Sequence, residues 1–182
     1  HNGRYSYENQ PAVAQWNLVA LAYAMQKQVS FKTAQAFVGR EFSDRYFSQY
    51  WTLMSGRFGV VSTPESAQWM QSVLLECQHQ KTDLNRWLYQ LTHTPHELGS
   101  EWSSFLHARD VFVTELSTAK MTTLNPKFIL KNWVCQWVID AAEKGDFSRI
   151  KQVREIIQTP FDAHEDFAFL AGDLPDWGKN IC

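Results

Sequence analysis

The apolar positions between residues 125 and 160 recur at three- and four-residue steps, the spacing of a buried helical face. Asn125 is a residue type that caps helix N-termini, and Pro126 fits the first helical position, so a helix is predicted to begin there. Gly145 can end that helix in the left-handed conformation, and Asp146 can cap the next one. Segment 125–160 is therefore predicted to be an αα-hairpin. The apolar positions of its buried face are Ile129, Leu130, Trp133, Val134, Trp137, Val138, Ala141, Phe147, Ile150, Val153, Ile156 and Ile157.

Helical spacing also dominates the residues before this hairpin. The pattern predicts helices over 11–27, 31–38, 42–55, 64–80, 84–91 and 100–117. Gly39 is expected to separate the second from the third, and the β-branched run within 57–63 is expected to form a connector or a short strand. The fold predicted is an all-α, irregular assembly of seven or eight helices.

We interpret the chain as a single helical region with four parts. Residues 1–10 are predicted to form a loop, 11–124 a helical body and 125–160 the hairpin. Residues 161–182 lack a sustained period and are predicted to form an irregular tail. The side chains expected to pack that tail are Phe167, Leu170, Leu174 and Trp177.

Composition narrows the class of protein. Of the 182 residues 45% are hydrophobic, 14% aromatic and only 20% charged, with a net charge of -2, which is typical of a globular domain or part of one. Without a basic excess we expect no nucleic-acid partner. No run approaches the roughly 18 apolar residues of a membrane-spanning helix, so we expect no membrane partner. Because the chain begins at His1 and ends in an irregular tail, we expect both ends to be cut from a longer protein.

The cysteines and histidines do not predict a reactive centre. Cys77, Cys135 and Cys182 are odd in number and widely spaced, which favours a reducing compartment and a packing role for the first two. His93 and His96 have metal-ligand spacing and precede Glu97, but Pro95 breaks the helix that would align them, so loop histidines are favoured.

The remaining polar candidates have simpler interpretations. His79 and His107 are isolated in the sequence. His164 lies beside an acidic cluster formed by Asp162, Glu165 and Asp166. This cluster fits either a cation site or a solvated tail, and we favour the solvated tail. Gly56 and Gly59 lack the lysine of a phosphate-binding loop. The residue pattern thus assigns no catalytic, cofactor-binding or metal-binding residue.

Two separated stretches carry a family resemblance. GRYSYENQPAVAQWNLVALAYAM (Gly3–Met25) and the hairpin sequence NPKFILKNWVCQWVIDAAEKGDFSRIKQVREIIQTPF, followed by LPDWGK (Leu174–Lys179), closely resemble the C-terminal part of the selenoprotein O (SelO) family. The resemblance implies the helical C-terminal part of a protein-kinase-like C-lobe. It implies a parent enzyme that transfers AMP from ATP to protein Ser, Thr or Tyr hydroxyls.

The same resemblance predicts where the chemistry lies. In the family the nucleotide loop, the catalytic lysine and the metal-binding acidic residues precede the segment like Gly3–Pro11. ATP and magnesium, or manganese, are therefore expected in the parent's upstream kinase-like region, and this fragment alone is expected to be inactive and to bind neither. That upstream region and protein substrates are the expected partners. The expected location is cytoplasmic in a bacterium or mitochondrial in a eukaryote.

Two other hypotheses stay open. The chain could be a helical protein-interaction module with no enzyme attached. Family members also commonly end in a cysteine or selenocysteine motif beyond the WGK-like segment, which makes Cys182 a candidate redox residue, although the expected Ser-Ser ending is absent. Disulfide formation that disappears in Cys182→Ser would support the redox role.

Overall fold

A computed structural model describes the backbone of residues 9–180 and the side chains of residues 9–178. These residues contain nine α-helices joined by short 3₁₀ turns, and no β-strand, so the all-α prediction is confirmed. The helices are α1 (Gln10–Ala24), α2 (Phe31–Phe58), α3 (Pro64–Gln80), α4 (Leu84–His93), α5 (Ser103–Arg109), α6 (Glu115–Ala119), α7 (Met121–Leu124), α8 (Asn132–Ala142) and α9 (Ser148–Gln158).

The chain divides into two compact units, His1–Leu53 and Met54–Cys182, with the boundary inside α2. The predicted break at Gly39 is wrong, because α2 continues through it. A glycine within a helix costs only about 1 kcal/mol relative to alanine, so a long helix absorbs it. Rings at four-residue steps support the same helix, with Tyr46 stacked on Phe42 and on Tyr50.

In the second unit two predicted helix starts are confirmed by their caps. Thr63 accepts a hydrogen bond from the backbone N–H of Ser66, whose hydroxyl in turn accepts from Thr63 N–H, and this capping box begins α3. Asp83 accepts bonds from the N–H groups of Asn85 and Arg86 and begins α4. Both caps are local patterns, which is why the sequence indicated them.

The helix predicted over 100–117 is wrong as a single element. It divides into α5, a 3₁₀ turn over Asp110–Phe112, and α6. The carbonyl of Phe112 accepts a hydrogen bond from Val61 N–H at 2.9 Å. The chain after α5 therefore contacts the connector that follows α2. Thr114 is extended and caps α6. Val113 and Thr114, which are both β-branched and both extended, therefore separate the 3₁₀ turn from α6.

The hairpin exists but is shorter than predicted. Its helices α8 and α9 pack together, and Gly145 between them has φ +83 while Asp146 accepts from Ser148 N–H at 2.9 Å. The predicted start at Asn125 is wrong, because α8 begins at Asn132. One apolar cluster joins the hairpin to the tail. Its buried members are Phe128, Trp133, Val134, Val153, Ile156 and Leu170.

The tail is more regular than predicted and less buried. It forms 3₁₀ segments at Glu165–Ala171 and Asp176–Asn180. Leu170 is buried and Phe167 packs partly against the cluster, as expected. Leu174 and Trp177 stay about half exposed, although the Trp177 ring meets Trp133 edge-on at 6.1 Å.

Candidate functional site

A cleft of about 910 Å³ lies where three segments of the second unit meet. We call it the Lys131 cleft. The turn between α3 and α4, the start of α8 and the tail each form one wall. Its lining residues are Lys81, Thr82, Asp83, Lys131, Asn132, Trp133, Asp173, Leu174 and Gly178.

Lys131 is the central charged group of this cleft. Its side chain is only 11% exposed, and Nζ lies 2.6 Å from Oδ2 of Asp83. The same ammonium donates to the carbonyl oxygens of Gly172 at 2.9 Å and Ala171 at 3.4 Å. Because Asp83 also caps α4 with its other oxygen, one ion pair connects the start of α4, the start of α8 and the tail.

A second ion pair lies at the mouth of the cleft. The Arg86 guanidinium binds the carboxylate of Asp173 in the tail, and both side chains are well exposed. An ion pair at this exposure is worth roughly 0–1 kcal/mol, because water screens it and two long side chains must be ordered. Lys131 is the less exposed of the two cations and makes more bonds.

Beneath the start of the hairpin lies a buried polar network centred on Asn125, which is fully buried. Its amide donates to the carbonyl of Arg57 at 2.7 Å and to Oγ1 of Thr92 at 2.9 Å, and its oxygen accepts from Arg57 Nε at 3.1 Å. The Arg57 guanidinium also donates to Oδ1 of Asn85 at 2.6 Å. Asn125 thus binds the end of α2 to α4, which explains why its side chain does not cap a helix.

A partly buried cation, Arg109, holds the end of α2. Arg109 Nε donates to the carbonyl of Phe58 at 2.9 Å, and one terminal nitrogen lies 3.3 Å from Sδ of Met121. Burial lowers the pKa of the Arg109 guanidinium. A cation at a helix C-terminus satisfies carbonyls that have no intrahelical partner and complements the helix dipole. This arginine therefore stabilises the C-terminal end of α2.

The histidines singled out in the sequence do not converge. His93 ends α4 with its ring 4.5 Å from that of Tyr89, and His96 and Glu97 lie in the following 3₁₀ turn. Within residues 9–178, no group of three or more His, Cys, Asp or Glu side chains could hold a metal ion.

The acidic cluster near His164 is solvent-facing. His164 Nε2 lies 2.9 Å from Oγ1 of Thr159, and its φ of +42 places it in the left-handed region at the start of a 3₁₀ segment. Asp162, Glu165 and Asp166 are exposed beside it. Cys182 lies outside the described residues.

Cys77 is buried, as the sequence predicted. Burial, with smaller contributions from the charges of Glu76 and Asp83, raises the pKa of its thiol to about 11. At pH 8 only about one Cys77 in a thousand would be the reactive thiolate. We therefore expect iodoacetamide at pH 8 to label half-buried Cys135 in the folded chain and to reach Cys77 only in denaturant, with peptide mass spectrometry as the measurement.

The same pKa has a consequence for stability. Folding raises the pKa of Cys77, so the free energy of unfolding falls when the thiol ionises. The contribution of the neutral thiol to the free energy of unfolding is complete below the pKa of the unfolded chain, about 8.5, and is lost as the pH rises through the folded pKa of about 11. Labelling of Cys77 at the rate of Cys135 in the native protein would contradict this burial.

Sequence reasoning missed Lys131 and Arg109 as organising groups. A lysine within the apolar run FILKNW was the available signal, since a charge in such a run needs a specific partner. For Arg109 no local signal exists, because its partners lie about 50 residues earlier in the chain.

The fold and the contacts of these cations define what kind of region this chain forms. It is a helical scaffold whose partly buried cations bind carbonyls and a carboxylate of the chain itself. No helix within residues 9–180 is long and apolar enough to cross a membrane. The family model described as "Protein adenylyltransferase SelO" matches residues 1–158, and the chain belongs to this family, as the resemblance predicted.

Individual relatives agree with the family match. The protein nucleotidyltransferase YdiU of Vibrio parahaemolyticus serotype O3:K6 is 28% identical, with 100% of this chain and 42% of the relative covered. The proteins of that name from Pseudomonas fluorescens Pf-5 and Stutzerimonas stutzeri A1501 are 30% and 29% identical, each with 98% of this chain and 40% of the relative covered. The chain thus spans about two-fifths of the length of these curated relatives.

Proposed function

We propose that this chain is the helical C-terminal part of a protein adenylyltransferase, which transfers AMP from ATP to Ser, Thr or Tyr hydroxyls of proteins. The observation that supports the proposal is the match of residues 1–158 to a family described as protein adenylyltransferases. The relatives named above, called protein nucleotidyltransferases, agree with that class. We place the parent in the bacterial cytoplasm, or in mitochondria if it is eukaryotic.

The charges of the Lys131 cleft disfavour ATP and its metal at that place. The most buried cation of the cleft, Lys131, is already neutralised by Asp83 and bound to two carbonyls. A triphosphate would have to displace that carboxylate and would meet Asp173 at the mouth. We therefore assign ATP, and magnesium or manganese, to the part of the parent that precedes this chain, and no step of the reaction to these helices.

The role we propose for this chain is to support that upstream part. In the described portion of the first unit, residues 9–53, Ala22 alone is buried. Large apolar side chains are instead more than half exposed, an amount of apolar surface that soluble proteins normally cover. They include Trp16, Leu21, Tyr23, Phe37, Phe47 and Leu53. We propose that the upstream kinase-like region of the parent covers them.

Two nucleotide experiments test the function. The full-length protein, incubated with ATP labelled at the α-phosphate, is expected to transfer label to protein, whereas γ-labelled ATP is expected to leave none. In calorimetry, MgATP is expected to bind the full-length protein and not residues 1–182. Transfer of γ-label would make the parent a kinase, and no transfer of either label would favour an interaction module. Micromolar binding to residues 1–182 would overturn the assignment of ATP to the upstream part.

The proposed covering of the first unit has its own test, the substitution Phe47→Asp. Phe47 is 54% exposed, so the change should alter the Tm of residues 1–182 little. In the full-length protein it should bury a carboxylate and lower the Tm clearly. Phe147→Asp, at a ring 63% exposed in the hairpin turn, is the control and should act alike in both proteins. Equal effects of Phe47→Asp in both would contradict the covering.

A further inference from the structure

The segment after the hairpin contributes one buried apolar side chain to the core and otherwise contacts the hairpin through rings that stay partly exposed. We call residues 161–178 the strap. Leu170, 3% exposed, is its one buried apolar side chain among the described residues, whereas Phe161, Phe169 and Trp177 are about half exposed. Its regular parts are 3₁₀ helices, whose hydrogen bonds are poorer than those of α-helices. A segment with few buried apolar contacts has the features of one that opens locally.

Cations from outside the strap attach it at two places, near its start and at residues 172 and 173. Lys127 Nζ donates to the carbonyl of Ala163 at 2.7 Å, and Lys131 Nζ donates to that of Gly172 at 2.9 Å. The third attachment is the ion pair between Arg86 and Asp173. All three bonds depend on a charged donor, and charged hydrogen bonds are the stronger kind.

These attachments differ in strength because they differ in exposure. The Lys127 bond is exposed, and Arg86 and Asp173 have side chains 39% and 75% exposed. The Lys131 side chain is only 11% exposed and is therefore shielded from water. Opening the strap removes its two carbonyl partners, and Asp83 remains as its partner. Its carbonyl partners also lie at the C-terminal end of the 3₁₀ segment Glu165–Ala171, where a cation is favoured.

We propose that the strap is a releasable lid on the Lys131 cleft, held closed by Lys131. Asp173, Leu174 and Gly178 of the strap form one wall of that cleft. When the strap detaches, this wall leaves, and Asp83, Lys131 and the Trp133 ring become accessible while α8 and α9 stay folded. This inference concerns the chain alone and does not rest on the proposed enzymatic activity.

Hydrogen exchange of the full-length protein, followed by mass spectrometry in dilute denaturant, tests the lid. In the unmodified protein, amides of 165–172 should exchange faster than those of α9 and with a weaker dependence on denaturant, because opening the strap exposes less surface than unfolding α9 does. Lys131→Met should accelerate exchange in the strap about tenfold or more, which is the effect of losing one charged hydrogen bond. The amides of α9 should keep their rate.

Two variants separate the lid from a general loss of stability. Lys151→Met removes an exposed lysine of α9, whose partner Glu155 lies 3.9 Å away on the same helix, and should leave strap exchange unchanged. Arg86→Met should accelerate it only slightly. If the lid exists, the amides of the strap and of α9 differ in exchange rate and in denaturant dependence in the unmodified protein. Equal values would show that the strap unfolds only together with the rest of the fold, and the proposal would be overturned. Equal acceleration by Lys131→Met and Lys151→Met would overturn the role of Lys131.

Discussion

Asn125→Ala is expected to lower the free energy of unfolding by about 3–5 kcal/mol, since it deletes three hydrogen bonds at a fully buried site. Most of this free energy is lost at the groups that Asn125 bonds. The carbonyl and Nε of Arg57 each lose a hydrogen bond that water cannot easily replace. For a chain of this size the Tm should fall by roughly 6–20 °C. Thermal unfolding followed by circular dichroism is the measurement.

Two further variants show whether the network produces this loss. Thr92→Val removes one acceptor of the Asn125 amide and should cost roughly 1 kcal/mol. Combined with Asn125→Ala it should cost less than the sum, because both remove the same bond. Asn17→Ala, at an exposed position on α1, is the matched control and should stay within about 0.5 kcal/mol of the unmodified protein. An Asn125→Ala effect no larger than that of Asn17→Ala would contradict the network.

Asn125 also shows what sequence reasoning could reach in this fold. The caps at Thr63 and Asp83 and the left-handed Gly145 were predictable, because each involves partners within a few residues. The Asn-Pro pair has the same local form as a cap. Its amide instead bonds Arg57, 68 positions earlier, and only tertiary structure reveals that choice. Local rules therefore placed most of the helices, but they misplaced the start of α8, broke α2 at Gly39 and joined α5 to α6.

The candidate site was less predictable than the fold for the same reason. The charged residues of the Lys131 cleft include Asp83, Lys131 and Asp173. Each of these three is separated from the next by about 40 to 50 residues in the chain. None of them stands in a motif, so spacing gave no signal. The family could be predicted because two stretches resemble it directly, without reference to where their side chains lie.

Trp133→Ala is expected to cost about 3–5 kcal/mol, and more than Trp137→Ala. Trp133 is 5% exposed within the cluster that joins the hairpin to Leu170 of the strap, so truncation leaves a cavity among buried neighbours. Trp137 is only partly buried, although the sequence placed it on the buried face of the hairpin. Denaturant unfolding monitored by circular dichroism, which does not depend on tryptophan fluorescence, compares the two variants.

The contacts of Trp137 indicate why its truncation should cost less, about 1–2 kcal/mol. The Arg149 guanidinium lies 4.2 Å from its ring centroid, and Phe169 meets the ring edge-on. Arg149 also donates to the carbonyl of Trp137, a bond that alanine keeps. A loss from Trp137→Ala equal to that from Trp133→Ala would show that the second ring belongs to the core.

Trp133→Phe isolates the packing contribution of the ring from that of its N–H group. Trp133 Nε1 is buried with no hydrogen-bond partner among the described residues, so replacing the indole forfeits no hydrogen bond. It should relieve an unsatisfied donor while losing some ring volume, and we expect a cost of about 1–2 kcal/mol. A loss as large as that of Trp133→Ala would mean that the N–H has an acceptor in solution.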